Sequence, residues 1–144
     1  MRIYLDNCSF NRPFDDQHQI RIRIEAEAKL YIQSLIDQGK PDLVWSYILE
    51  YENLANPYEF RQIVIQKWKR KSKVQINENK QIVKLAEELT DYALKAKDAL
   101  HLACAIEAEC EYFITTDDKI LNKNNKINSI EIINPVDMLD ILEV

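Results

Sequence analysis

The spacing of apolar residues changes several times along this chain, and each change marks an element. Residues 2–6, RIYLD, read as a short first strand, and the turn-rich NRPFDD follows. From about His18 to Gln38 apolar positions recur at helical spacing, and Gly39 follows LIDQ as a helix C-cap would. DLVWS, 42–46, is a second strand. Helices are expected across 47–55 and 58–70, separated by Pro57, which disfavours helical geometry at Asn56. A further helix covers ENKQIVKLAEELTDYAL, 78–94, and Asp98 opens another that runs to about Glu109. YFITT, 112–116, is a third strand and SIEII, 129–133, a fourth; PVDMLDIL closes the chain as a helix with proline in its first turn. Strands separated by helices need crossover connections. The expected fold class is α/β, a mostly parallel sheet with helices on both faces.

At 144 residues and 47% hydrophobic, the chain has the size and core of one domain, 1–144. No apolar stretch approaches the roughly 18 residues that span a membrane, and MRIYLDN lacks the apolar core of a signal peptide. A cytoplasmic location is expected. Cys8, Cys104 and Cys110 are an odd number without CxxC spacing, so they read as reduced, mostly buried thiols. With Gly39 the only glycine, a phosphate-binding P-loop and a dinucleotide fingerprint are excluded, and ATP and NAD chemistry with them. The net charge of −5 gives no global bias toward nucleic acid. Locally, RQIVIQKWKRKSK (61–73) holds Lys69, Arg70 and Lys71 in a stretch free of acids. It is either a solvated helix end or a patch that holds a phosphate backbone.

In open α/β sheets, ligands bind beyond the carboxyl ends of the strands. Asp6 ends the first strand and Asp117 the third, so both belong to that edge. Each alone could be a turn former or helix N-cap; two at equivalent strand ends weaken that reading. In SYILEYENLA, Glu50 and Glu52 point about 200° apart on a helix. Glu52 lies beside the apolar arc of Ile48, Leu49 and Tyr51 and faces inward, whereas Glu50 faces the rim. Asp98 precedes ALHLACAIEA, a helix apolar around much of its circumference. It is either an N-cap or, if that helix starts near the carboxyl edge, a fourth member of the group. Carboxylates forced together repel unless a cation neutralises them. Oxygen donors without histidine or thiolate suit Mg²⁺ or Mn²⁺, and such ions support phosphodiester hydrolysis. Of the adjacent acids, Asp117 is expected at the strand edge facing the cleft, with Asp118 at the following helix start in a structural role.

IYLDNC, SYILEYE, KDALHLACA and YFITTDDKIL followed by IEIINPVDML occur in that order over nearly the whole chain. Together they resemble the PIN domain ribonucleases, particularly the VapC-like toxins of bacterial toxin–antitoxin pairs. The resemblance implies a PIN-like sheet of about four or five strands. It makes Asp6, Glu52, Asp98 and Asp117 the acidic catalytic set, with Asp6, Asp98 and Asp117 on the metal and Thr115 or Thr116 as a supporting hydroxyl. It further implies RNA as substrate, Mg²⁺ or Mn²⁺ as cofactor, a homodimer and a cognate antitoxin. The loop DNCSFNRPFDD departs from the common toxin pattern, and Arg12 within it is either a phosphate contact or a surface arginine.

Arg12 and His18 have the R-x₅-H spacing of some nucleases that resemble the HEPN class, but the proline and FDD turn between them oppose the helix that site needs. His101, within an apolar helix, reads as a hydrogen-bonded core histidine. A noncatalytic PIN-like module that binds RNA or a protein is the rival from another class, and it would not need all four acids. The stripe Ile20, Ile24 and Leu30 is either core or a contact for a dimer or partner helix.

Overall fold

The computed structural model describes residues 1–142. Its sheet has five parallel strands in the order β3-β2-β1-β4-β5. These are β1 Arg2–Leu5, β2 Asp42–Ser46, β3 Val74–Ile76, β4 Tyr112–Ile114 and β5 Glu131–Ile133. The helices are α1 Asn7–Asn11, α2 Ile20–Asp37, α3 Tyr47–Leu54, α4 Glu59–Lys71, α5 Lys80–Leu89, α6 Ala96–Glu107, α7 Asp118–Leu121 and α8 Pro135–Ile141. The chain adds β2 and β3 on one side of β1, then returns past β1 to add β4 and β5 on the other. Right-handed crossovers run in opposite directions therefore put α2 and the α5–α6 pair on opposite faces. In keeping with this, α2 packs against α8, and α5 packs against α6.

Central strand β1 is buried on both sides: Ile3, Tyr4 and Leu5 are wholly inaccessible and share one core with Leu43, Val44, Leu102 and Phe113. α6 fits there because Ala99, Ala103, Cys104 and Ala105 are small enough for close approach to the sheet. α2 ends as expected: Gly39, at φ +75°, donates to Ile36 O while Lys40 donates to Leu35 O, a termination that favours glycine. Among the described residues no helix is long and apolar enough to cross a membrane.

Several expectations need correction. β3 was not anticipated: VQI alternates apolar and polar, but over only three residues at the sheet edge, too short a run to mark a strand. NRPFDD is preceded by the short helix α1 and itself forms a 3₁₀ turn over Arg12–Phe14. The 78–94 helix ends at Leu89, and after a 3₁₀ turn Ala93 takes φ +62° and redirects the chain. α6 starts two residues ahead of Asp98, with Lys95 at the cap position, so Asp98 is no N-cap. On α2, Ile32, Leu35 and Ile36 are the core contacts; Ile20, Ile24 and Leu30 are exposed.

Candidate active site

Three adjacent strands, β2, β1 and β4, deliver their carboxyl ends to one edge, and β1 and β4 flank the point where the order of addition reverses. Asp6 follows β1, and its amide donates to Ile114 O at 3.0 Å, which seats it against the end of β4. Asp117 follows β4 after Thr115 and Thr116. Ser46 at the end of β2 caps α3, accepting from the Leu49 amide, and α3 then carries Glu52. α6 feeds the amino end of β4, so its first turn lies at the opposite, carboxyl edge, and Asp98 stands in that turn. The four acids, from four segments, line one cleft of about 380 Å³ together with Asn7 and Arg12.

Their environments differ. Asp6 is buried, accepting from the Asn7 amide at 2.7 Å and from Thr115 Oγ1 at 2.9 Å. Thr115 Oγ1 also accepts from the Asp117 amide at 3.1 Å, so one hydroxyl ties the two aspartates together. Asp117 caps α7 by accepting from the Lys119 amide, and so works as cap and cleft wall at once. Glu52 accepts from Asn7 Nδ2 at 3.4 Å and contacts His101 Nε2 through its other oxygen. Burial pushes the Glu52 pKa up, but the His101 contact, Lys97 and Asn7 together carry it below the usual carboxylate range. Asp98 shifts the opposite way: burial and then the charges of Asp6, Asp117 and Glu52 raise it, with only partial relief from His101.

Behind Glu52 runs a buried polar chain. Ser46 Oγ and Tyr4 Oη are 2.6 Å apart, and Tyr4 Oη is 2.6 Å from His101 Nδ1. His101 is thus the hydrogen-bonded core histidine expected, yet its far nitrogen contacts Glu52, a residue of the cleft. Burial lowers its pKa, but Glu52, Asp6 and Asp98 outweigh this and leave it raised.

Arg12 also lines the cleft. Its Nη1 bonds Asp15 at 3.3 Å, and its Nε is 3.2 Å from the buried carboxylate of Glu25, close enough to pair but without hydrogen-bond geometry. Glu25 also takes Arg21 at 3.3 Å and Asn134 Nδ2. Asp118 is bound by Arg21 through two bonds of 2.7 and 2.8 Å. Thr116 is buried, and among the described residues its hydroxyl has no partner. Cys8, in the cleft wall, lies 3.2 Å from Thr115 Oγ1, and burial next to Asp6 pushes its thiol up to about 12.

The basic run sits elsewhere. Lys69, Arg70 and Lys71 form the last turn of α4, which leads to the amino end of β3, the edge away from the acids. Lys69 pairs with Glu50, and Lys71 with Asp37 at 3.0 Å. His18 is almost fully exposed beside Asp16, outside the cleft and in no helix. Asn7, Cys8 and the Tyr4–Ser46 pair were missed as neighbours of the site. Only the spacing of Asn7 and Cys8 from Asp6 could have indicated them, because Tyr4 and Ser46 read as ordinary strand residues.

Carboxylate oxygens are the donors a hard divalent cation takes, and Asp98, its pKa raised by burial and by the charges of Asp6, Asp117 and Glu52, stands where negative charge gathers. Donor type and charge therefore fit such an ion. Among the described residues, however, no three His, Cys, Asp or Glu side chains stand close enough together to grip one as placed.

No family model matches the chain, and no curated protein matches it. Solved structures do. A chain of VapBC2 from Rickettsia felis, bound to a DNA fragment from its promoter, superposes with a TM-score of 0.57 at 13% identity, covering 93% of this chain and 98% of that one. A chain of VapBC-1 from nontypeable Haemophilus influenzae gives 0.59 at 16% identity, covering 94% of this chain and 98% of that one. Identities this low speak for the fold alone, and they do so over nearly all of both chains. The fold of this chain is PIN-like α/β, with its acidic cleft at the carboxyl edge of the sheet.

Proposed function

We propose that the chain is a metal-dependent endoribonuclease that hydrolyses RNA phosphodiester bonds in the acidic cleft. The observation that carries the reading is the convergence of Asp6, Glu52, Asp98 and Asp117, with Asp98 left half-buried among like charges. Packing or capping alone gives no reason for four acids from four segments to line one cleft. Asp6, Asp98 and Asp117 would hold Mg²⁺ or Mn²⁺, which when bound acidifies a water and offsets charge on the phosphate.

The remaining roles belong to the protein's own groups. Glu52, kept ionised by His101, is the proton acceptor for the attacking water. Thr115 fixes the spacing of Asp6 and Asp117. Arg12, braced by Asp15 and Glu25, presents positive charge to the phosphate. The resemblance to VapC-like toxins and the likeness to two VapBC structures support a toxin role, with a cognate antitoxin as protein partner, a homodimeric assembly and a cytoplasmic location.

The test is cleavage of a mixed RNA pool with Mg²⁺ or Mn²⁺, with a chelator, and with Asp6→Asn. Cleavage that needs metal and Asp6 is expected. RNA or protein binding without cleavage would instead favour the noncatalytic PIN-like module.

A further inference from the structure

A second cleft of about 310 Å³ adjoins the acidic one and shares Asn7, Asn11 and Glu52 with it. Its chemistry is different. Tyr58, Arg61 and Lys97 line it, so that two cations and an aromatic ring stand directly beside four carboxylates. The Asn56-Pro57-Tyr58 corner between α3 and α4 is built for position: Asn56 Nδ2 bonds Asn11 Oδ1 at 3.2 Å, and its Oδ1 accepts from the Tyr58 amide at 3.0 Å. Arg61, one turn on, lies over the Tyr58 ring at 4.3 Å. Its guanidinium is anchored by Phe14 O at 2.7 Å and Asp15 at 3.5 Å. The ring is thus held from one side by a fixed cation, yet 59% of Tyr58 remains exposed. Such exposure of a braced aromatic is without purpose for packing.

From this geometry, and resting on the ribonuclease reading above, we infer that the Tyr58–Arg61–Lys97 cleft is a nucleotide subsite for single-stranded RNA. One base stacks on the open side of Tyr58, and the neighbouring phosphate lies between Arg61 and Lys97. Stacking needs a base that is not already paired, and an aromatic face accepts any of the four. Arg61 and Lys97 add their charge to that of Arg12 in the acidic cleft, and so hold the strand next to the point of cleavage. A duplex would present no free base to Tyr58 and would gain nothing from the subsite.

The test uses the whole chain in chelator, where nothing is cut, and fluorescence anisotropy with short labelled single-stranded and duplex RNAs. Single strands should bind more tightly than duplexes. Tyr58→Ala should weaken single-strand binding about tenfold whatever the base, with Tyr58→Phe close to wild type. Lys97→Gln, at an exposed site, should reduce the salt slope by about 0.7. Equal affinity of Tyr58→Ala and wild type, equal loss in Tyr58→Phe, or absence of single-strand binding would each overturn the subsite. Metal-dependent cleavage with unaltered Tyr58→Ala binding would sink the subsite and leave the ribonuclease reading standing. Tyr58-dependent binding with no cleavage in metal would do the reverse.

Discussion

Glu52 on α3 and His101 on α6 meet through a carboxylate oxygen and the imidazole Nε2, and this contact shifts the charge state of both. Folding raises the histidine and lowers the glutamate. A raised histidine adds stability that is whole below its unfolded value of about 6.5 and fades as pH climbs through its folded value; a lowered glutamate adds stability that is whole above about 4.3 and fades on acidification. The pair is therefore at full strength between those limits. Glu52→Gln should lower the melting temperature most near pH 5.5 and less at pH 8.5, read from thermal melts at both. A gap to wild type that does not narrow at the higher pH would remove the coupling.

Asp117 and Asp118 are adjacent but engaged differently, one in the cleft wall and the other with Arg21 at the surface. Asparagine caps a helix as well as aspartate does, so Asp117→Asn should keep the melting temperature and lose most of the cleavage rate. Asp118→Asn should do the opposite, with a slightly lower melting temperature and near-normal rate. Melting curves and initial rates of both variants decide it.

Asp98 carries a cost in the metal-free protein. Its pKa is raised by burial and by three neighbouring acids, so that cost is absent below the unfolded value of about 3.9 and grows as pH rises through the folded value. At pH 7, Asp98→Asn should melt higher than wild type in chelator. Added Mn²⁺ should raise the wild-type melting temperature and shift the variant less. A variant that gains as much from Mn²⁺ as wild type would take Asp98 out of the metal set.

Lys29 on α2 is buried, and burial brings its ammonium down to about 7, with Phe10 O at 3.4 Å as a polar contact. Between about pH 7 and about 10.4 the unfolded chain holds the proton and the folded chain releases it, so stability rises with pH by up to about 1.4 kcal/mol per unit. Lys29→Met should be the more stable protein at pH 6 and lose that advantage by pH 10. Denaturant titrations of the two at several pH values measure the difference.

Much of this arrangement could be read in the chain before folding. The four acids stood out because each interrupts or borders an apolar run, and helix geometry alone distinguished Glu52 from Glu50, which in the structure turns to Lys69 and Gln66 on α4. β3 could not be read, since three alternating residues, VQI, are too few to distinguish an edge strand from a loop. Nor could the fate of the basic run, because charge density in sequence says nothing of which sheet edge a helix end reaches. His101 could be assigned to the core but not to Glu52, since its partners lie 49 and 97 residues away. The buried Glu25 beside Arg12 was equally hidden, since that ion pair joins α2 to a turn the sequence marked only as irregular.

The acidic cleft is proposed to cut RNA with a divalent ion. The most direct measurement is cleavage of an RNA pool by the purified chain in Mn²⁺, in chelator, and in chelator followed by excess Mn²⁺, with Asp6→Asn run alongside. Asp6 is buried, and the asparagine keeps its shape, so loss of activity cannot be assigned to loss of a surface charge alone. The account predicts cleavage in Mn²⁺, none in chelator, recovery on restoring the ion, and at least about a hundredfold slower cleavage by a folded Asp6→Asn. Cleavage that survives complete chelation, or a fully active Asp6→Asn, would contradict it.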